Sequence, residues 1–433
     1  MDRNVRILGI GAGVRTLGMA LFGPFLALFL HYDLAIGYVE IGVVLVTLGA
    51  LPIPASFLGG LLTDRWGRRR IFLTTLAIEA GLVFVMGLLM IHRSLVGVLS
   101  VGFASSINAA LGGPALSAYV ADLAVGSERT KGFTWYRVGS NAGFAAGSAT
   151  GGFLIPLLGF GHTTLVSSAI LFAGVTFLVA TLASSPYDLD FARSSTPGRP
   201  APPPASGTAS GGPTSSPSPA PATRLPRPGI VTSLRTVARD GGFLLFCVAG
   251  ALAQVTIGQW NNTFQLFVIG PMHLSYTILG IGLSLNGLIV VLGQTATTQR
   301  VLGRRLSSIF AAGLALYVVA FLSLGLSALL QALPVVVFFA AVAVLTLGEN
   351  LTAITMSTLP SNLAPPQEIG AYNGGFNAIL TIGGLLGTFV GTLALASVPD
   401  PLLLWVVLVA PSLPAAWLLR HAAHRISKTA DLA

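Results

Sequence analysis

The sequence predicts an all-α membrane protein with twelve transmembrane helices arranged as two six-helix bundles. Three observations lead there. Of 433 residues, 53% are hydrophobic and only 9% charged, against roughly 25% charged in water-soluble domains. The mean hydropathy is +0.82. Apolar runs long enough to cross a bilayer, about 20 residues each, recur in two sets of six on either side of a polar stretch. Finally, the two sets repeat one another. At an offset of 240, Asp122-Leu123-Ala124 meets Asn362-Leu363-Ala364 and Glu128 meets Glu368. Gly143, Gly147 and Gly151 likewise meet Gly383, Gly387 and Gly391. Glycines at every fourth position leave one helix face bare, so a neighbouring helix can approach closely. Two such ridges with matching flanks indicate pseudo-symmetric halves.

Taken in order, a short basic tail (Met1–Arg6) precedes the first span, 7–30. Its length and the internal Arg15 argue against a cleaved signal peptide. Further spans are expected at 38–62, 71–91, 95–121, 132–158 and 163–184. Residues 186–240 then turn rich in Pro, Ser, Ala and Gly, without apolar periodicity. Such a segment is too proline-rich to pack and too polar to insert, so it reads as a disordered linker. Spans resume at 242–270, 277–299, 307–328, 333–360, 370–396 and 401–420. The predicted domains are therefore residues 1–185, the linker 186–240, and residues 241–433.

Charge placement predicts orientation. Arg3, Arg6, Arg65, Arg68, Arg69, Arg70, Arg129 and Lys131 all fall on one side of an even-numbered topology. The linker arginines, Arg300, Arg304, Arg305, Arg420, Arg425 and Lys428 join them, and Arg93 falls opposite. By the positive-inside rule, both termini and the linker are expected in the cytoplasm of a plasma or inner membrane. The net charge of +9 is thus a topology signal rather than a nucleic-acid footprint. A single cysteine, Cys247, rules out a disulfide framework. The six histidines lack metal-ligand spacing. Gly9-Ile10-Gly11-Ala12-Gly13 has no preceding strand, and no phosphate-binding loop with its lysine occurs. Nothing points to an enzyme, a cofactor or ATP-driven work.

Between the second and third spans lies a basic corner, Gly60-Leu61-Leu62-Thr63-Asp64-Arg65-Trp66-Gly67-Arg68-Arg69-Arg70. This stretch resembles motif A of the major facilitator superfamily, and a worn copy, Gln299-Arg300-Val301-Leu302-Gly303-Arg304-Arg305, stands in the second half. The resemblance implies the major facilitator fold and a gating role for the corner. Asp64 would cap the start of helix 11 near Gly370, and Arg68 would pair with Asp122 at the end of helix 4, locking an outward-open state. A carboxylate at a helix N-terminus gains from unpaired amides and the dipole. The plainer alternative is that these charges only enforce topology.

Charges inside a membrane are costly unless paired or facing a cavity, which singles out Arg15, Glu79, Arg137 and Glu349. In the resembled fold, helices 1, 4, 7 and 10 line the cavity, helices 2, 5, 8 and 11 flank it, and helices 3, 6, 9 and 12 are peripheral. That places Arg15, Arg137 and Glu349 on the cavity and reads Glu79 as a buried contact near the helix 2–3 hairpin. Glu349 is the candidate proton carrier; its alternative is a structural ion pair with Arg15 or Arg137. Milder cavity candidates are Asn108, Tyr136, Asn141, Gln254, Gln259, Trp260, Asn286, Asn373 and Asn377. Each amide can equally serve as an interhelical hydrogen bond.

Gly143-x-x-x-Gly147-Ser148-x-x-Gly151-Gly152 resembles the antiporter motif of proton-linked drug exporters, with Ser148 in place of its proline. The resemblance implies a secondary transporter working by alternating access, with proton-coupled export of hydrophobic or amphipathic drugs as the leading expectation. Carriage of organic anions or other small metabolites, with Arg15 and Arg137 as clamp, is the alternative. A non-transporting membrane receptor is a third reading. The expected partners are a small-molecule substrate, protons and the bilayer, and a monomer suffices.

Overall fold

The computed structural model describes residues 3–123, 127–182, 236–365, 367–425 and 430–432. Helix α1 runs from Arg3–Ala20 through a 3₁₀ turn, Gly23–Phe25, and on to Asp33. Pro24 lacks an amide to donate, which fits the break. Helix α2 is Tyr38–Ala50 followed by Pro52–Trp66, interrupted where Pro52 follows Leu51. Helices α3 and α4 are Arg68–Ile91 and Leu95–Leu123. The stretch Ser127–Thr181 holds two helices, α5 (127–158) and α6 (160–181), parted at Gly159 with φ 79.

In the second half α7 comprises Gly241–Ile257, a 3₁₀ turn Gly258–Asn261, and Thr263–Ile269. Then come α8 (Tyr276–Val301), α9 (Leu306–Leu330), α10 (Pro334–Leu363) and α11 (Ile369–Ser397). Last is α12, split into Pro401–Val409 and Ser412–Arg425. Eleven segments are long and apolar enough to cross a membrane, and one of them, Thr134–Thr181, contains both α5 and α6. Twelve crossings thus stand among the described residues.

Most of the expected linker lies outside the described residues. Its last residues, Thr236 to Asp240, form a turn leading into α7. There Asp240 accepts from the Phe243 amide at 2.9 Å and from the Tyr372 hydroxyl at 3.1 Å.

The glycine ridges are where the helices meet most closely. On α5, Gly143 faces the Gly13 carbonyl of α1, and Gly147 and Gly151 face the backbone of Leu17 and Leu21. On α11, Gly383 and Gly387 meet Ala251 and Val255 of α7, while Gly391 meets the side chains of Gln259 and Thr263. Inside a bilayer, lipid is as apolar as leucine, so such close backbone packing is what holds helices together.

Three apolar cores reveal how the halves meet. One, with Ile7, Ile71, Leu76, Tyr119 and Leu178, belongs wholly to the first half. Another, with Phe243, Phe310, Tyr372, Phe376 and Leu419, belongs wholly to the second. Both sit at the end of the molecule carrying the α2–α3 corner and the chain termini, here called the terminal face. At the far face a single core unites the halves, joining Phe29 and Phe160 to Phe264, Phe338 and Trp405. There Gly42 of α2 packs on Thr392 of α11, and Gly152 of α5 packs on Gly280 of α8. The Pro52–Trp66 part of α2 turns away to pack on α4, with Gly59 against the Leu111 backbone. Gly370 and Gly374, at the start of α11, face open space. The halves are thus closed at the far face and parted between α2 and α11 at the terminal face.

Candidate functional site: a two-sided cavity and its hinge

The corner between α2 and α3 turns on Gly67, whose φ of 89 is one that side-chain-bearing residues avoid. From the first turn of α3, Arg68 Nη1 donates to the Ala118 carbonyl of α4 at 3.1 Å. Arg69 Nε donates to the Leu182 carbonyl at 3.0 Å, and its Nη2 to the Val179 carbonyl at 3.3 Å. The carbonyls ending a helix lack intrahelical partners and carry the negative end of its dipole. Arg69 therefore holds the end of α6, while Arg68 ties the corner to a carbonyl one turn before the last turn of α4. Arg68 points to the last turns of α4, where its expected partner Asp122 resides. The side chains of Asp64 and Asp122 lie outside the described residues. Gly60 stands beside open space and Arg65 is exposed.

Between α1, α3, α4 and α5 lies a cavity of about 250 Å³ with Arg15, Glu79, Asn108 and Tyr136 in its wall. Glu79, only 2% exposed, accepts from the Ser105 hydroxyl at 2.5 Å and from Asn108 Nδ2 at 2.8 Å. Asn108 also donates to the Thr75 carbonyl at 2.8 Å. Glu79 is thus a buried polar contact, as expected, but it lies in mid-helix and also borders the cavity it was not placed on. It bridges α3 to α4 and borders the same cavity as Arg15, because α3, though peripheral, turns one face inward. Among the described residues Arg15 has neither a hydrogen-bond nor an ion-pair partner.

A second polar cluster lies where the halves abut. Glu349 of α10 accepts from Asn286 Nδ2 of α8 at 2.8 Å, and the same amide reaches the Thr346 hydroxyl at 3.0 Å. Arg137, from α5 of the other half, attracts Glu349 only at longer range and more weakly than the Asn286 hydrogen bond holds it. The two do not approach within 4 Å, so the structural ion pair weighed as the alternative is not formed here. Arg137 instead meets Gln294 of α8. In the amide orientation that suits its surroundings, Gln294 accepts from both terminal guanidinium nitrogens at 3.0 and 3.1 Å. Asn141 lies beside Arg137 along the same α5–α8 seam.

The remaining candidates separate by burial. Gln259 is fully buried, donates to the Val255 and Gly387 carbonyls at 2.6 and 2.8 Å and accepts from Thr263. It ties α7 to α11 and presents no surface to a solute, contrary to its expected place on the cavity. Asn373 donates to the Ser361 hydroxyl and the Ile369 carbonyl, both at 2.9 Å. Trp260 packs its ring 4.5 Å from Phe264 at the α7 break. Gln254 is half-buried beside Gly384, and Asn377 is exposed. Sequence reasoning did not single out Arg69, Ser105, Thr346 or Gln294. Arg69 was visible as part of the arginine triplet; the others carry no signal beyond a polar group inside an apolar run.

Helices α1 and α7 are both interrupted, at corresponding places of the repeat. Discontinuous helices at equivalent positions of two repeated halves are a recurrent feature of membrane transporter folds. Residues 8–388 match the family model described as Major Facilitator Superfamily, and the chain belongs to that superfamily. An uncharacterized MFS-type transporter of Bacillus subtilis (strain 168), YttB, is 26% identical over 403 residues, covering 90% of this chain and 88% of the relative. Among solved structures, a POT family transporter in complex with 5-aminolevulinic acid superposes with a TM-score of 0.73 at 12% identity, covering 99% of this chain and 97% of that one. A mutant of the nucleoside transporter NupG gives 0.69 at 15% identity, with 97% and 100% covered. At such identities the likeness concerns the fold alone. The protein is a multi-pass membrane transporter of small-molecule substrates, not an enzyme.

Proposed function

We propose that this chain is a proton-coupled exporter of hydrophobic or amphipathic solutes, working by alternating access, with its termini in the cytoplasm. The observation that carries the coupling is the arrangement at Glu349. Its carboxylate is held by Asn286 within the second half and stands in the field of Arg137 from the first. Protonating Glu349 removes the attraction across the half-interface and leaves the folding of each half untouched. Proton occupancy thereby biases how readily the halves separate. With the basic residues inside, the parted terminal face makes this an inward-facing state, and closure brings the inner part of α2 to the start of α11.

Export and apolar cargo are supported by the glycine pattern of α5. A groove of about 490 Å³ along α1 and α5, lined by Ile10, Val14, Leu17, Trp135 and Val138, adds to this. Purified protein in liposomes with an internal pH dye and an imposed proton gradient tests the reading. A lipophilic cation should trigger proton flux, and Glu349→Gln should abolish it while leaving the protein folded. Flux unchanged in that variant would sink the coupling role. One observation favours a second reading, carriage of organic anions: the unpaired Arg15. In that case the anion, and not the cation, drives flux, and Arg15→Ala removes it.

A further inference from the structure

We propose that the cavity between Arg15 and Glu79 binds a small dipolar solute, one carrying a cationic and an anionic group. Arg15 enters it from α1 as a guanidinium with no partner among the described residues. A charge at that depth is expensive unless something neutralises it. Glu79 enters from α3 and is 2% exposed. Its two donors, Ser105 and Asn108, are both neutral, and Asn108 spends its other amide hydrogen on the Thr75 carbonyl. A carboxylate offers about four lone-pair sites, so two hydrogen bonds leave capacity towards the cavity.

The two opposite charges share one cavity and yet do not form an ion pair within 4 Å. Had they evolved only to neutralise each other, direct contact would gain the most, since buried pairs hold only in close, well-bonded geometry. Both instead line one cavity of about 250 Å³, room for roughly eight waters at about 30 Å³ each. A purely anionic guest would satisfy Arg15 and set a negative group facing Glu79. A purely cationic guest would do the reverse. A guest with both ends satisfies both walls, and the half-buried Tyr136 also lines the cavity. The cavity lies wholly within the first half, apart from the Glu349 cluster at the α5–α8 seam.

The inference rests on the carrier reading only for how a solute reaches the cavity, and binding tests it without any transport. Full-length protein in nanodiscs is titrated with 4-aminobutyrate, butyrate and butylamine, three probes of one chain length and different charge. The expected result is that 4-aminobutyrate binds at least tenfold more tightly than either singly charged probe. Arg15→Gln should bring its affinity down to that of butylamine, and Glu79→Gln to that of butyrate, with Arg15→Lys retaining part of it. The comparison in the unmodified protein needs no variant to fold. Butyrate binding as tightly as 4-aminobutyrate overturns the proposal and leaves a simple anion site. Failure of all three probes to bind overturns it too, and leaves the Glu349 reading standing.

Discussion

Residues Ala430–Leu432 return from the end of α12 to the start of α9, and the contact they make predicts a local instability of known size. Asp431, 3% exposed, accepts from the Ser307 amide at 2.8 Å and from the Ser307 hydroxyl at 2.7 Å. Its own carbonyl accepts from the Leu306 amide at 2.8 Å. Asn362 of α10 adds bonds to the Ala430 and Leu432 carbonyls at 3.1 and 3.3 Å. Arg305, at the N-cap of α9, has no capping oxygen, so Asp431 supplies one from 124 residues away. Loss of an N-cap costs about 0.5–2 kcal/mol, and a buried donor left unsatisfied about 1–3 kcal/mol. Asp431→Ala should therefore weaken the start of α9 by about 2 kcal/mol, a factor of roughly 30 in local opening at about 1.4 kcal/mol per tenfold. Hydrogen–deuterium exchange of peptides spanning 303–312 reads this directly, because exchange reports local opening. Asp431→Asn, which keeps one acceptor, should give an intermediate acceleration. Unchanged exchange at Ser307 in Asp431→Ala would refute the cap, as would an equal acceleration in every helix.

Three further outcomes follow from the packing and the corner. Gly143→Leu must displace the Gly13 backbone, an overpacking of about 1–3 kcal/mol. It should lower the yield of monodisperse protein in detergent, while Gly374→Leu, facing open space, should not. Gly67→Ala forces an L-residue to φ 89 and ψ 146, a region essentially restricted to glycine, at a cost of roughly 1–3 kcal/mol, read as a lower midpoint in thermal unfolding. Arg69→Ala frees the Leu182 and Val179 carbonyls and forfeits about 0.3–1 kcal/mol of C-terminal charge–dipole interaction. The last turn of α6 should then exchange faster, with α3 unaffected.

Run length and repetition made the twelve helices legible, because a bilayer sets the number of apolar residues a crossing needs. Breaks within helices were less so. Gly23-Pro24 marks the interruption of α1, yet α7 breaks at Asn261 and Asn262 without any proline, and hydropathy is blind to that. The misplacement of Glu79 has a physical reason: helix number assigns a helix to the periphery but says nothing of which face its residue occupies. Gln259 shows the converse, a polar group on a cavity helix whose bonds all go to its own neighbours. Asp431 was invisible, since nothing local in a polar tail reports a contact with α9.

The two polar sites divide the work of a carrier in a way the packing explains. Helices in a bilayer gain little from hydrophobic association, because lipid solvates an apolar face as well as another helix does. The far-face core and a closed terminal face can therefore lie close in energy, and a small bias decides between them. Two unit charges about 4 Å apart attract by about 4 kcal/mol at an effective dielectric of about 20, and by proportionally less at any greater distance. Near balance, even a bias of about 1.4 kcal/mol moves a two-state population tenfold. In the proposed coupling, a charge pair split between the halves exerts it, and Arg137 with Glu349 is such a pair. Arg15 and Glu79 sit in one half and keep their relation through the motion. Under the two proposals above, a site that keeps hold of a bound solute while the halves rock belongs within one half, and a group that senses the proton belongs across the seam.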